Sequence, residues 1–445
     1  MIKKLVIVFI AVFAIQSYAQ EGTASPYSFY GIGSLKFKGT VENRSMGGLS
    51  IYMDSIHVNL RNPASYAGKN IDAYPFNGES RPVKFAVGTT YSSLDLKSDS
   101  GSDKASSATF DYLALSVPMG KFGFGFGLMP FTSVGYKLES FDGSDNISNR
   151  FTGEGGLNKA FLGLGYQIAQ GLTIGIDAHY NFGNIQNSTI EFLYDNDGSL
   201  TQYQSRENNR SDLSGLNFNL GLSYKTMLTE KLEFVSAFTI TPESTLVSKN
   251  ERSFSTVTSS STNAGQEFVV GSIDVDLEPL GLLETDLILP SKYSIGAGIG
   301  QPRKWFVGVE SEFQKISNFS NALYGTATTE YEDASRISLG GFFIPQYNSF
   351  SSYLKRVTYR AGVRLEKTGL AFKNTNPNIN NESINEFGIS FGVGLPVGNG
   401  ISNANLGFEI GKRGTTSNGL IQENFINFQL SLSLNDRWFQ KRKFD

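Results

Sequence analysis

Residues 424–436 read NFINFQLSLSLND. Ile426, Phe428, Leu430, Leu432 and Leu434 fall on one side of an extended chain, and Asn427, Gln429, Ser431, Ser433 and Asn435 on the other, because successive side chains of a strand point to opposite faces. A strand with lipid on one side and a polar lumen on the other needs this division. LNFNLGLSY at 216–224 repeats it, with Leu216, Phe218, Leu220, Leu222 and Tyr224 opposed to Asn217, Asn219, Gly221 and Ser223. TIGIDAHYNFG at 173–183 does so again.

The same reading along the chain places strands near 84–97, 106–118, 121–138, 151–168, 171–193, 213–227, 231–252, 291–300, 304–317, 333–345, 356–372, 383–397, 403–412 and 422–436. The expected fold is all-β: a 14-stranded antiparallel transmembrane β-barrel. Short links at PMGKFG, IAQGLT, KTMLTEKL, GQPRKW and LPVGNGIS alternate with long polar ones at 139–150, 194–212, 253–290 and 373–382. Barrels of this kind keep short turns on the periplasmic side and long loops outside. PQYNSFSSYLKR at 345–356 is long for a periplasmic link, and the alternation shifts phase near Tyr112, as a bulge would cause.

Composition agrees. The 48 glycines, 35 phenylalanines and 20 tyrosines accompany only 40% hydrophobic residues, which suits a barrel with aromatic girdles better than a soluble sandwich. There are no cysteines, so disulfides, thiolate metal sites and a lipid-bearing cysteine are excluded. A net charge of −3 and the lack of any basic run leave nothing to draw nucleic acid.

MIKKLVIVFIAVFAIQSYAQ opens with two lysines, an apolar run from Leu5 to Ile15, and Ser17-Tyr18-Ala19 as a small-residue cleavage signal. Residues 1–19 read as a signal peptide. The run is too short for a membrane helix, and the expected location is the outer membrane.

Between this signal and the first strand, residues 20–82 alternate poorly; residues 83–445 form the barrel. Their centre is NRSMGGLSIYMDSIHVNLRNPASYAG at 43–68. A barrel of this strand number leaves an interior that conducts water unless filled, so this stretch is expected inside as a plug. Asn62 and Pro63 read as the cap and first position of a helix, and Gly47 and Gly48 permit tight turns.

These residues resemble the N-terminal hatch of the FadL family of outer-membrane hydrophobic-compound transporters, in which a small-residue motif precedes an Asn-Pro-Ala step. They are similar also to its PorV branch of secretion-associated barrels. The residues carrying the likeness are Asn43, Arg44, Met46, Gly47, Gly48, Asp54, Asn62, Pro63 and Ala64. The resemblance implies fourteen strands, a hatch and a third strand kinked inward to open the wall sideways. In GKFGFGFGLMPFTSVGYK at 120–137, Pro130 lacks a ladder donor in mid-strand. Gly123, Gly125, Gly127 and Pro130 are the residues for such a kink; the alternative is that the glycines make room for the plug.

Charges on the lipid face cost about 2 to 4 kcal/mol for basic residues at midplane. Alternation therefore turns Glu310, Glu312, Arg360, Arg364, Glu366 and Glu409 inward, either as an ion-pair brace for plug and wall or as a head-group site. Arg44 or Arg61 is expected to pair with Glu310, Glu312 or Glu409, since an unpartnered buried charge is costly.

His57 and His179 lack matched ligands for a metal. GFGFG, GAGIG and GVGLPVG lie in strands and cannot cradle phosphate, and no catalytic constellation assembles. No enzyme activity, metal or cofactor is expected. Two functions fit: passive uptake of hydrophobic or amphipathic, fatty-acid-like molecules through a lateral opening, or a PorV-like accessory barrel that binds proteins of an outer-membrane secretion or assembly machine. The expected partners are membrane lipid together with one of these two.

Overall fold

The computed structural model describes residues 22–436 except 55, 68–81, 100, 260–266, 321–322, 324–327, 374–380 and 399–401. The signal peptide, the last part of the expected plug and the final nine residues lie outside the described residues.

The chain forms a closed antiparallel barrel of 14 strands, in the sequence order expected. They are β1 (Val83–Lys97), β2 (Ser102–Met119), β3 (Phe122–Pro130 and Thr132–Phe141), β4 (Ile147–Ala169), β5 (Leu172–Glu191), β6 (Gln204–Met227) and β7 (Glu233–Thr241 and Ser244–Ser259). Next come β8 (Glu284–Leu289 and Lys292–Gln301), β9 (Trp305–Gln314), β10 (Thr329–Tyr331 and Ala334–Phe343), β11 (Thr358–Phe372), β12 (Glu382–Val397), β13 (Ser402–Arg413) and β14 (Gln422–Asp436). β1 closes on β14 from Val83 opposite Asp436 to Lys97 opposite Gln422. No described helix is long and apolar enough to cross a membrane.

The face assignment follows the alternation. Ile426 and Phe428 are 43% and 52% exposed, while Asn427 and Gln429 are 4% and 3% exposed. The phase shift in β2 is a bulge: Gly88 faces Tyr112 but Thr89 faces Phe110, leaving Asp111 without an opposite number on β1.

Two expectations need correcting. The stretch 253–290 is not a plain loop: β7 runs on to Ser259 and pairs with an additional strand, Glu267–Asp274, and β6 already begins at Gln204. Leu432 belongs to the lipid-side set yet is buried. It lines a hollow of about 1470 Å³ in the outer wall, where Gly340, Gly362 and Gly392 bring the strands against Ser45 and Met46 inside.

Candidate functional site

The N-terminal segment is a set of tight turns held by its own polar side chains. In the one-turn helix α1 (Val41–Arg44), Asn43 Oδ1 accepts from the Thr40 backbone N–H and hydroxyl at 3.2 and 3.0 Å. Asn43 Nδ2 then donates to the Leu49 carbonyl at 3.0 Å, closing the following turn. Gly47 and Gly48 occupy it with φ of +69° and +89°, where other residues are strained. Any Cβ on Gly47 would also stand 2.6 Å from the Val363 carbonyl oxygen of β11.

Asp54 organises the next turn. Its carboxylate accepts from the Ile56 and His57 backbone N–H groups at 2.9 and 2.6 Å and pairs with His57 Nδ1 at 2.7 Å. Burial pushes this carboxyl up, but His57 and Lys84 outweigh it and hold Asp54 well below the usual carboxylate range. Asn62 caps as expected, accepting from the Ala64 N–H at 3.0 Å, although the helix it starts is a 3-10 turn, Pro63–Tyr66. Asn62 also donates to the Leu222 carbonyl on β6, fixing the turn against the wall.

Three of the six inward charges, Glu310, Glu312 and Glu409, pair with this segment directly. Arg44 pairs with Glu409 at 2.8 Å, and Arg61 with Glu310 and Glu312 at 2.9 and 2.6 Å. Glu310 also accepts from the Ser50 N–H at 2.7 Å, and Glu312 from Arg336 at 2.9 Å. Arg364 bridges Glu386 and, at 3.0 Å, Glu409; Glu366 lies 3.8 Å from it. Arg360 departs from the ion-pair expectation: it donates to Asn405 at 3.1 Å, and Asn405 donates in turn to the buried Glu42 of α1. Sequence reasoning missed Glu386, Arg413, Arg336 and Glu42, although the first three lie on the inward phase of their strands and the same alternation finds them.

The residues singled out in β3 separate into two groups. A Cβ on Gly123 or Gly125 would strike Tyr66 of the 3-10 turn, so these glycines seat the N-terminal segment. Gly127 is pressed between Leu113 and Phe161 of the neighbouring strands. The break falls at Pro130–Phe131, between the two halves of the strand. β4 accommodates it with Gly155 and Gly156, at φ of +107° and +138°, a contribution not foreseen. Lys159 Nζ lies 3.5 Å from the centre of the Phe131 ring at the hinge.

The break changes which strands pair. β2 and β3 are bonded from Met119 opposite Phe122 only as far as Leu113 opposite Leu128. Beyond this, among the described residues, Ser102–Tyr112 pair with β1 alone. The second half of β3 pairs with β4 on one edge, while its other edge takes Ser34 and Leu35 of the N-terminal segment, opposite Ser133 and Thr132. Lys36 N–H adds a bond to the Phe131 carbonyl at 2.9 Å. Two residues thus stand where a strand would close the wall, and Leu35 there is 46% exposed. A cavity of about 120 Å³ lies behind, lined by Leu35, Phe37, Thr109, Asp111 and Pro130. Leu35 also lines a second, more apolar cavity of about 150 Å³ with Ile32, Phe131, Phe319 and Ile384.

Comparison with known proteins gives a match to the family model described as BamG over residues 1–445. No curated protein sequence matches the chain. Among solved structures, the Pseudomonas putida toluene transporter TodX aligns with a TM-score of 0.57 and 14% identity, covering 91% of this chain and 100% of that one. The Ralstonia pickettii toluene transporter TbuX gives 0.55 and 13%, covering 90% and 100%. A Pseudomonas aeruginosa FadL homologue gives 0.55 and 12%, covering 90% and 98%. At these identities the likeness is one of fold, a closed 14-stranded antiparallel barrel; together with the family match it supports a location in the outer membrane.

Proposed function

The chain belongs to the BamG family, and we propose that it is an outer-membrane channel for passive passage of hydrophobic or amphipathic small molecules, with residues 20–82 as a lumenal plug and an exit through the wall beside β3. The observation that carries this reading is the loss of β2 pairing beyond Leu128 of β3, with Ser34 and Leu35 taking its place at Thr132 and Ser133, where the second half of the strand begins. A barrel wall satisfies its backbone by strand pairing, so the run Ser102–Tyr112 of β2, paired on one edge alone among the described residues, departs from that rule. Apolar Leu35 and Phe37, next to the small cavities, give a hydrophobic molecule a surface to follow between lumen and bilayer. Residues 1–19 serve as the export signal.

A specific feature favours a second reading, an accessory barrel that binds proteins of an outer-membrane secretion or assembly machine, whether or not of the PorV kind. The hairpin formed by β7 and Glu267–Asp274 exposes Phe268, Val269, Val270 and Ile273, and exposed apolar edge strands invite pairing with another chain. Purification from native membranes, with identification of both small molecules and proteins that travel with the barrel, separates the two. A bound hydrophobic compound displaced by a Leu35→Trp substitution supports passage. A stoichiometric protein lost on deletion of the hairpin supports docking.

A further inference from the structure

Charge divides the two ends of the barrel. At the end with the short links, taken as periplasmic, the links carry Lys121, Lys231, Arg303, Lys304, Lys355 and Arg356 against one acid, Glu230. At the other end Asp99, Asp142, Asp145, Asp195, Asp197, Asp276 and Glu278 face only Lys315 and Lys373.

Four of the six basic residues belong to two neighbouring links, β8–β9 and β10–β11. The β10–β11 link is the long one, and it is held in shape. Arg303 lies 5.5 Å from the centre of the Tyr347 ring, Arg356 lies 5.4 Å from that of Tyr353, and the Tyr353 hydroxyl donates to the Pro396 carbonyl at 3.0 Å. The same link leaves Phe350 fully exposed and Leu354 largely so. Phe350 nevertheless lines a cavity of about 340 Å³ between this link and the N-terminal segment, with Met53, Ile56, Phe342 and Ile344 among its apolar walls, Arg303, Arg356 and Arg360 among its cationic ones, and the acids Glu42 and Asp54, which are engaged by Asn405 and by His57, among the residues of the N-terminal segment. A ring that both lines a cavity and is fully exposed stands at its mouth. The buried Nε of Arg356 has no hydrogen-bond partner.

We propose that this cavity and its basic rim dock an acidic segment of a periplasmic polypeptide, an apolar side chain entering beside Phe350 and carboxylates meeting Arg303, Lys304, Lys355 and Arg356. Complementary charge draws and orients such a segment, and the apolar pocket anchors it. The cavity reaches Glu42, Met46 and Asn59 of the N-terminal segment, so its inner wall belongs to the lumen and not to the lipid-facing surface. The proposal stands whether or not the barrel passes small molecules.

The test is fluorescence anisotropy with the full chain in nanodiscs and a short fluorescein-labelled peptide of Asp and Glu with one Phe and one Leu. Binding is expected, weakened about tenfold by Arg303→Glu with Arg356→Glu and by Phe350→Ser, and weakened by added salt. The analogue with Lys for every acid is expected not to bind. Heat-modifiable migration checks insertion; should the arginine pair not insert, the exposed pair Lys304→Glu and Lys355→Glu takes its place. Equal binding of both peptides, or affinity unchanged in all variants, overturns the proposal. Displacement of the peptide by phosphatidylglycerol vesicles also overturns it, assigning the rim to lipid head groups.

Discussion

Arg44 in α1 grips Glu409 in β13 at 2.8 Å, across 365 residues of sequence. Glu409 is deeply buried and also receives Arg364 at 3.0 Å and the Asn427 amide at 3.0 Å. One carboxylate thus ties the N-terminal segment to three strands.

Removing one donor leaves Glu409 partly compensated, so Arg44→Gln is expected to cost about 2 kcal/mol. Glu409→Gln takes the carboxylate from Arg44 and leaves Arg364 with Glu386 and Glu366, and is expected to cost about 3 kcal/mol. Thermal unfolding in detergent measures both. Equal and negligible effects would remove this pair from the forces seating the segment.

Gly125 offers a test of packing without charge. A Cβ there would run into the Tyr66 ring, whereas nothing lies within 4 Å of one on Gly271. Gly125→Val is expected to raise hydrogen exchange across residues 59–67, and Gly271→Val to leave it unchanged. Exchange unaltered in both would mean that Tyr66 yields readily.

The strands, their faces and the pairing of the two N-terminal arginines were legible because each obeys a strong, repeated constraint. Lipid on one side imposes alternation on residues such as Ile426 and Phe428, and burial forces Arg44 and Arg61 to find acids. The break in the wall was legible only at Pro130, where the missing donor shows in the residue itself. That Ser34 and Leu35 pair with β3 was not legible, since two residues carry no period. Gly155 and Gly156 were hidden for another reason: glycine is common on the lumen face of this barrel, and its sequence does not distinguish a positive φ from a close contact. The reach of β7 into a hairpin was missed because Ser- and Thr-rich strands outside the membrane need no apolar face.

Acid should loosen the Asp54 turn. Its carboxyl is depressed in the fold below its ordinary value of 3.8, so its contribution is present above that pH and is lost as pH falls further through the folded value. Hydrogen exchange over residues 56–59 is expected to stay protected from neutrality to about pH 4 and to rise below it. Asp54→Asn should show raised exchange at neutral pH and a flatter response to acid. A wild-type response as flat as that of the variant would contradict this role.

Passage of small molecules beside β3 requires the wall to open where Leu35 stands in place of a strand. The most direct measurement is uptake of a fluorescent hydrophobic probe by cells carrying wild type, Leu35→Trp or Thr109→Trp, with Leu406→Trp on the intact wall as the control. At equal abundance and insertion, the two substitutions at the opening are expected to cut uptake several-fold while the control matches wild type. Uptake unchanged in all three would contradict passage beside β3.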